Sequence, residues 1–115
     1  MRILPLALAA AALLIAAPAQ AATTTCSSKD LRYPFTEGGP KTFGVFHLRV
    51  TNGTCKTAHA AAKAYKTKFE KHYDVPKSAG GFTFTELPPN AAQTYRLRGV
   101  KGKTRINFDY VVPNG

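Results

Sequence analysis

The sequence predicts an α+β fold in which one helix packs on a mainly antiparallel sheet, in the order β-α-β-β-β. Three observations lead to this prediction. Residues 43–51 alternate apolar and polar side chains, residues 55–73 repeat apolar residues every three or four positions, and residues 93–112 return to alternation around a glycine. Alternation is typical of a half-buried strand, and the three-four spacing of an amphipathic helix. A helix laid on one face of such a sheet buries the apolar side of both.

The chain begins with a stretch typical of a secretory signal peptide. Arg2 is followed by uncharged, mostly apolar residues, and Ala19-Gln20-Ala21 has the small-x-small pattern of a cleavage site. A transmembrane anchor is the alternative, but the apolar run is shorter than the roughly 20 residues that a span needs, and it ends at Pro18. We therefore expect residues 1–21 to be removed and the protein to be secreted, with no transmembrane segment in its mature form.

The remaining chain is long enough for a single domain and too short for two. We expect residues 22–42 to form an irregular lead-in tethered by a disulfide, with at most a short extended piece around residues 31–35, and residues 43–115 to form the α+β domain. Cys26 and Cys55 are the two cysteines, so only one internal disulfide is possible. Free thiols or an intermolecular bridge are the alternatives, but an oxidising compartment favours the internal bond. Closing this loop should stabilise the fold by about 3–4 kcal/mol.

The spacing of apolar residues predicts which side of the first long strand and of the helix faces the core. Phe46, Leu48 and Val50 alternate with Val45, His47 and Arg49, so the first three are expected to face the core and the other three to point outward. Thr54 is a favourable N-cap for a helix that runs to about Tyr73. The apolar stripe of this helix comprises Cys55, Ala58, Ala62, Tyr65 and Phe69, with Lys56 and Lys63 on the opposite side.

The segment after the helix is expected to be a linker up to Gly81, followed by a strand over residues 82–87. Pro88-Pro89 should end that strand, because proline cannot donate to a sheet. Residues 93–100 and 103–112 are the last two strands.

Two registers are open for the hairpin that these last strands form. A two-residue turn at Lys101-Gly102 places Leu97 opposite Ile106 and Arg98 opposite Arg105. A loop of four residues, 99–102, is the alternative, but it loses one apolar pair on the buried side. We therefore prefer the two-residue turn.

The basic residues of this hairpin are the candidate binding site. Removal of the leader, which contains Arg2, lowers the formal charge from +10 to +9, so the mature protein is still strongly basic. The anions that an exported protein meets are lipid headgroups and wall polymers rather than nucleic acid. Two facing guanidinium groups repel each other and suit a bound phosphate or carboxylate. The alternative is that these charges only keep the domain soluble. The predicted anion-binding residues are Arg96, Arg98, Lys101, Lys103 and Arg105.

The sequence offers no recognisable catalytic or metal-binding set. Cys55 and His59 are one helical turn apart, but Cys55 is assigned to the disulfide and no further ligand pair accompanies them. The mature chain has three serines, none of them in a G-x-S-x-G turn, and six scattered carboxylates. A small ribonuclease would need a histidine late in the chain, and none follows His72. We therefore expect no metal, no cofactor and no catalytic residue.

The segment Gly53-Thr54-Cys55-Lys56-Thr57-Ala58 carries a resemblance. A strand followed by G-[ST]-C-x-x-A at a helix start resembles a set of small exported actinobacterial domains of unknown function, over residues 43–108. Those domains have a second cysteine pair, and here Phe84 and Arg96 stand in its place. The resemblance implies a fold and a compartment, not an activity.

Taken together, these features predict a secreted, non-catalytic basic module that binds an anionic envelope polymer or lipid, or a partner protein. A small secreted enzyme of unrecognised type is the alternative, and so is a secreted inhibitor or toxin. A cleft that gathers two or more of His47, His59, Glu70 and Glu86 would favour the enzyme.

Overall fold

A computed structural model describes residues 22–113, without the side chains of residues 89–91. One helix lies on a seven-stranded antiparallel sheet. In chain order the elements are β1 (Thr23–Thr25), a 3-10 helix (Lys29–Leu31), β2 (Arg32–Tyr33), β3 (Phe43–Thr51), α1 (Cys55–His72), β4 (Ser78–Ala79), β5 (Phe82–Ala91), β6 (Thr94–Lys101) and β7 (Thr104–Val111). Across the sheet the order is β1-β3-β7-β6-β5-β4, with β2 also paired to β3.

The α+β class, with one helix on a mainly antiparallel sheet, is confirmed. The predicted order β-α-β-β-β lacks the short strands β1, β2 and β4, which are too brief to show alternation. The signal peptide predicted over residues 1–21 lies outside the described residues.

The segment before β3 belongs to the sheet. The prediction that residues 23–25 form an irregular lead-in is wrong, because these three threonines pair with the end of β3 as strand β1. Directly after β1, the predicted disulfide between Cys26 and Cys55 is confirmed, with the two Cα atoms 5.4 Å apart. The bond joins the residue that follows β1 to the first residue of α1. It therefore ties the N-terminal segment to the start of the helix.

A β-bulge changes the face that β3 presents to the core. His47 and Leu48 together lie opposite the single residue Phe108, and His47 has a φ of +57°. An extra residue in one strand shifts the alternation by one position. Val45 and Leu48 are therefore both buried, whereas Phe46 points to the opposite face and is only half-buried. The prediction that Phe46 faces the helix is wrong for this reason.

The helix follows the sequence prediction closely. Thr54 is its N-cap, and the Thr57 amide donates to the Thr54 hydroxyl at 3.2 Å. At the other end Tyr73 adopts a left-handed conformation, with a φ of +54°, and its amide donates to the Phe69 carbonyl. The buried residues of α1 are Ala58, Ala61, Ala62, Tyr65 and Phe69.

Aromatic side chains fill the space between α1 and the sheet. The Tyr65 ring makes edge contacts with Phe84, Phe108 and Tyr110, with ring centroids 5.0, 5.3 and 5.4 Å apart. Edge-to-face packing at these distances adds to the stability gained from burial alone.

The linker and strand boundaries after α1 differ from the prediction. Ser78 and Ala79 form strand β4, which turns through Gly80-Gly81 into β5. Strand β5 then continues to Ala91, past the prolines that were expected to end it. Its pairing with β6 shifts register between Leu87 and Ala91, so the prolines fall where the regular ladder is interrupted.

The predicted hairpin register is wrong, because the turn lies one residue later in the chain than predicted. Strands β6 and β7 pair Lys101 with Thr104, so the two-residue turn is Gly102-Lys103. Gly102 has a φ of +60°, and glycine at the first central position is typical of a type II′ turn. Arg98 therefore lies opposite Asn107 rather than opposite Arg105.

Candidate functional site

The sheet face opposite α1 is polar and open. Antiparallel sheets commonly pack one face on the core and leave the other in water. On this open face, β3, β7 and β6 place Arg49, Asn107 and Arg98 in one row across neighbouring strands. In the next row, Asp109 lies opposite Arg96.

These two rows form the floor of a groove that encloses about 270 Å³. We call it the arginine groove. Its lining residues are Arg49, Leu87, Arg96, Leu97, Arg98, Asn107, Phe108 and Asp109. The three arginines are exposed, and none of them lies within 4.0 Å of a carboxylate oxygen among the described residues. Apart from a long hydrogen bond of 3.5 Å from Arg96 Nη1 to the Pro88 carbonyl, their guanidinium donors are therefore available to an added anion.

The single carboxylate of the groove is already occupied by a histidine. Asp109 Oδ2 lies 2.9 Å from His47 Nδ1, so the bulge residue and the carboxylate form a pair at one end of the groove. The bulge makes this contact possible, because it turns His47 out of the regular alternation. The lining has three arginines against this one carboxylate, so the groove is positive.

The structure brings only some of the predicted anion-binding residues together. Arg96 and Arg98 line the groove, and Arg105 lies on the same face but outside it, opposite Val100 and Thr51. Lys101 lies on the helix side, with its Nζ 3.3 Å from where a side chain at Gly81 would begin. Lys103 is in the turn. Arg98 and Arg105 do not face each other, so the repulsion predicted for a directly facing pair does not apply.

Arg49 is the groove residue that the sequence prediction missed. Its outward position in β3 was predicted, but the pairing of β3 with β7 brings it to the hairpin. That pairing joins residues more than 50 positions apart, and no local pattern indicates it. A list of all outward arginines on predicted strands would have included it.

The residues named for the enzyme alternative lie apart. His47 pairs with Asp109 on the open face, whereas the imidazole Nε2 of His59 lies 2.7 Å from Asp30 at the edge of α1. The hydrogen bond from His59 lowers the pKa of Asp30 below its ordinary value. Glu70 lines a separate aromatic pocket, and neither that pocket nor the arginine groove contains two of the four residues named for the enzyme alternative.

Residues 22–113 contain no cluster of three or more His, Cys, Asp or Glu side chains arranged to hold a metal ion. No helix in this part of the chain has the length and apolar character needed to cross a membrane.

Comparison of the chain with protein-family models, with curated proteins and with solved structures finds no match. The resemblance to small exported actinobacterial domains, drawn from the helix start at Cys55, stays a prediction.

Proposed function

We propose that this protein is an extracellular, non-catalytic module that binds an anionic polymer or lipid of the cell envelope through the arginine groove. The observation that supports the proposal most directly is the convergence of Arg49, Arg96 and Arg98, from two strands that flank β7, on one groove without carboxylate partners. Guanidinium groups present planar, paired donors that match phosphate and carboxylate oxygens.

The arrangement favours an extended anion over a small one. The groove runs across three strands on an open face, and further positive charge lies beside it at Arg105. A chain of phosphates or a field of headgroups can contact several of these groups at once, and binding at several sites raises the overall affinity. The disulfide agrees with an oxidising compartment, where such polymers and headgroups are found.

The proposal is tested by measuring the affinity of the mature protein for a phosphate-bearing wall polymer and for vesicles containing anionic lipid. The triple variant Arg49→Gln, Arg96→Gln, Arg98→Gln should bind its ligand at least about ten-fold more weakly, because one charge-assisted hydrogen bond contributes about 1.5 kcal/mol or more. Added salt should weaken the wild type, since exposed charges are screened beyond about 8–10 Å. Binding to the polymer alone would identify the wall as the ligand, and binding to the vesicles alone would identify the membrane surface. Unchanged affinity of the triple variant would refute the proposal.

A further inference from the structure

A second concavity, which we call the aromatic pocket, opens at the C-terminal end of α1 on the helix side of the sheet. It encloses about 550 Å³, and its wall includes Tyr33, Phe69, Tyr73 and Tyr110, together with the carboxylate of Glu70. Among the residues that the structure describes, Glu70 is the only charged one of the lining. Ligand pockets typically combine apolar and aromatic walls with a few polar groups that orient the ligand.

Two residues of the lining, Tyr33 and Glu70, already contact an ammonium group of the protein itself, that of Lys66. Lys66 Nζ donates a hydrogen bond to Glu70 Oε2 at 2.8 Å, and the same nitrogen lies 5.3 Å from the centre of the Tyr33 ring. A cation within about 6 Å of an aromatic face is attracted by the negative charge density of the ring. The pair of Tyr33 and Glu70 therefore provides the two components that stabilise an ammonium ion: an aromatic face and a carboxylate.

The wall of the pocket also contains one buried phenol group, that of Tyr110. The Tyr110 side chain is fully buried from water, and its hydroxyl has no hydrogen-bond partner among the described residues. Burial, followed by the nearby carboxylate of Glu70, raises the pKa of both Tyr33 and Tyr110 above the ordinary value. Both hydroxyls therefore stay protonated and neutral, and Glu70 is the negative group of this region.

We propose that the aromatic pocket binds an alkylammonium group, with the rings of Tyr33 and Tyr73 against the cation and Glu70 as its counter-ion. This site is independent of the arginine groove, which lies on the other face of the sheet. The protein is strongly positive overall, so a small cation would not accumulate here without a specific local site. An added ammonium must share Glu70 with Lys66 or displace it, and a neutral molecule of the same shape gains nothing from the carboxylate.

The test compares choline and n-butylammonium with 3,3-dimethylbutan-1-ol, a neutral isostere of choline, by NMR titration of the mature protein. Both ammonium compounds should give saturable shifts at residues of the pocket, and the alcohol should bind at least five-fold more weakly. Glu70→Gln and Tyr73→Asn should each weaken choline binding at least five-fold. Asparagine is chosen because it tolerates the left-handed conformation of residue 73. Phe35→Ala, which removes another exposed aromatic ring outside the pocket, is the matched control and should leave binding unchanged.

A further variant separates charge from shape. Lys66→Met keeps the apolar stem but removes the ammonium that occupies Glu70, so choline binding should tighten while binding of the alcohol stays the same. Equal binding of choline and the alcohol would overturn the proposal and identify the pocket as merely apolar. Absence of a saturable shift with either ammonium compound at millimolar concentration would overturn it as well.

Discussion

The two buried tyrosines of the core show how a single residue departs from what its sequence position suggests. The periodicity of α1 assigns Tyr65 to the buried face, and alternation in β7 does the same for Tyr110. Neither pattern shows whether the hydroxyl has a partner. In the described part of the chain both hydroxyls are buried without a hydrogen bond. A buried polar group in this state lowers stability by about 1–3 kcal/mol relative to one that is paired.

We therefore expect Tyr65→Phe to leave the free energy of unfolding unchanged at neutral pH, or to raise it by up to about 1 kcal/mol. Urea unfolding measures this, with Tyr95→Phe as a control in which the side chain is only half-buried. A loss of more than about 1 kcal/mol would show that the Tyr65 hydroxyl is hydrogen-bonded after all.

The same variant should also change the alkaline limit of stability. Burial raises the pKa of Tyr65 in the folded protein, whereas an unfolded tyrosine ionises near pH ~10. The folded state therefore keeps a proton that the unfolded state loses. The contribution of Tyr65 to the free energy of unfolding is fully present below about pH 10 and is lost as the pH rises toward the folded pKa. In Tyr65→Phe this decline should be shallower, because Tyr33 and Tyr110 still have raised pKa values but Tyr65 no longer contributes. A decline as steep as in the wild type would contradict this.

At the scale of elements, the sequence predicts what depends on local periodicity. The N-cap at Thr54, the extent of α1 and its buried stripe follow from spacing alone. The phase of β3 does not, because the bulge at His47 inverts the alternation without changing the composition. The hairpin register fails in a similar way. Two turns one residue apart both bury Leu97 and Ile106, and the conformation of Gly102 selects between them.

The assignment of the helix face can be tested with neighbouring residues. Ala62 is fully buried against the sheet, whereas Lys63 is exposed. Ala62→Lys places an unpaired charge and a long side chain in the core, so it should lower the free energy of unfolding by more than about 3 kcal/mol or prevent folding. Lys63→Ala should change it by less than about 0.5 kcal/mol. Thermal unfolding of the two variants measures the difference, and similar shifts in Tm would show that the helix face is wrongly assigned.

For the whole molecule, the two faces of the sheet have separate roles. One face carries α1 and the aromatic core, and the other carries the arginine groove. The sequence predicts a basic hairpin on the outer face, and the structure places two of its residues, Arg96 and Arg98, in the arginine groove. It does not place Arg49 beside them, because that depends on which strands become neighbours. It also leaves Lys101 in the turn, whereas the observed turn begins one residue later and makes Lys101 part of β6 on the helix side. Long-range pairing of this kind decides the composition of the candidate site.

The most direct test of the arginine groove compares two variants with the same loss of charge. One carries Arg49→Gln, Arg96→Gln and Arg98→Gln, and the other carries Lys56→Gln, Lys63→Gln and Lys71→Gln on the exposed side of α1. Affinity for the anionic polymer or vesicle that binds the wild type is measured at low salt. We expect the arginine variant to bind at least about ten-fold more weakly than the lysine variant, because only the groove presents convergent planar donors. Equal weakening of the two variants would show that the attraction is diffuse net charge and would contradict a specific site in the groove.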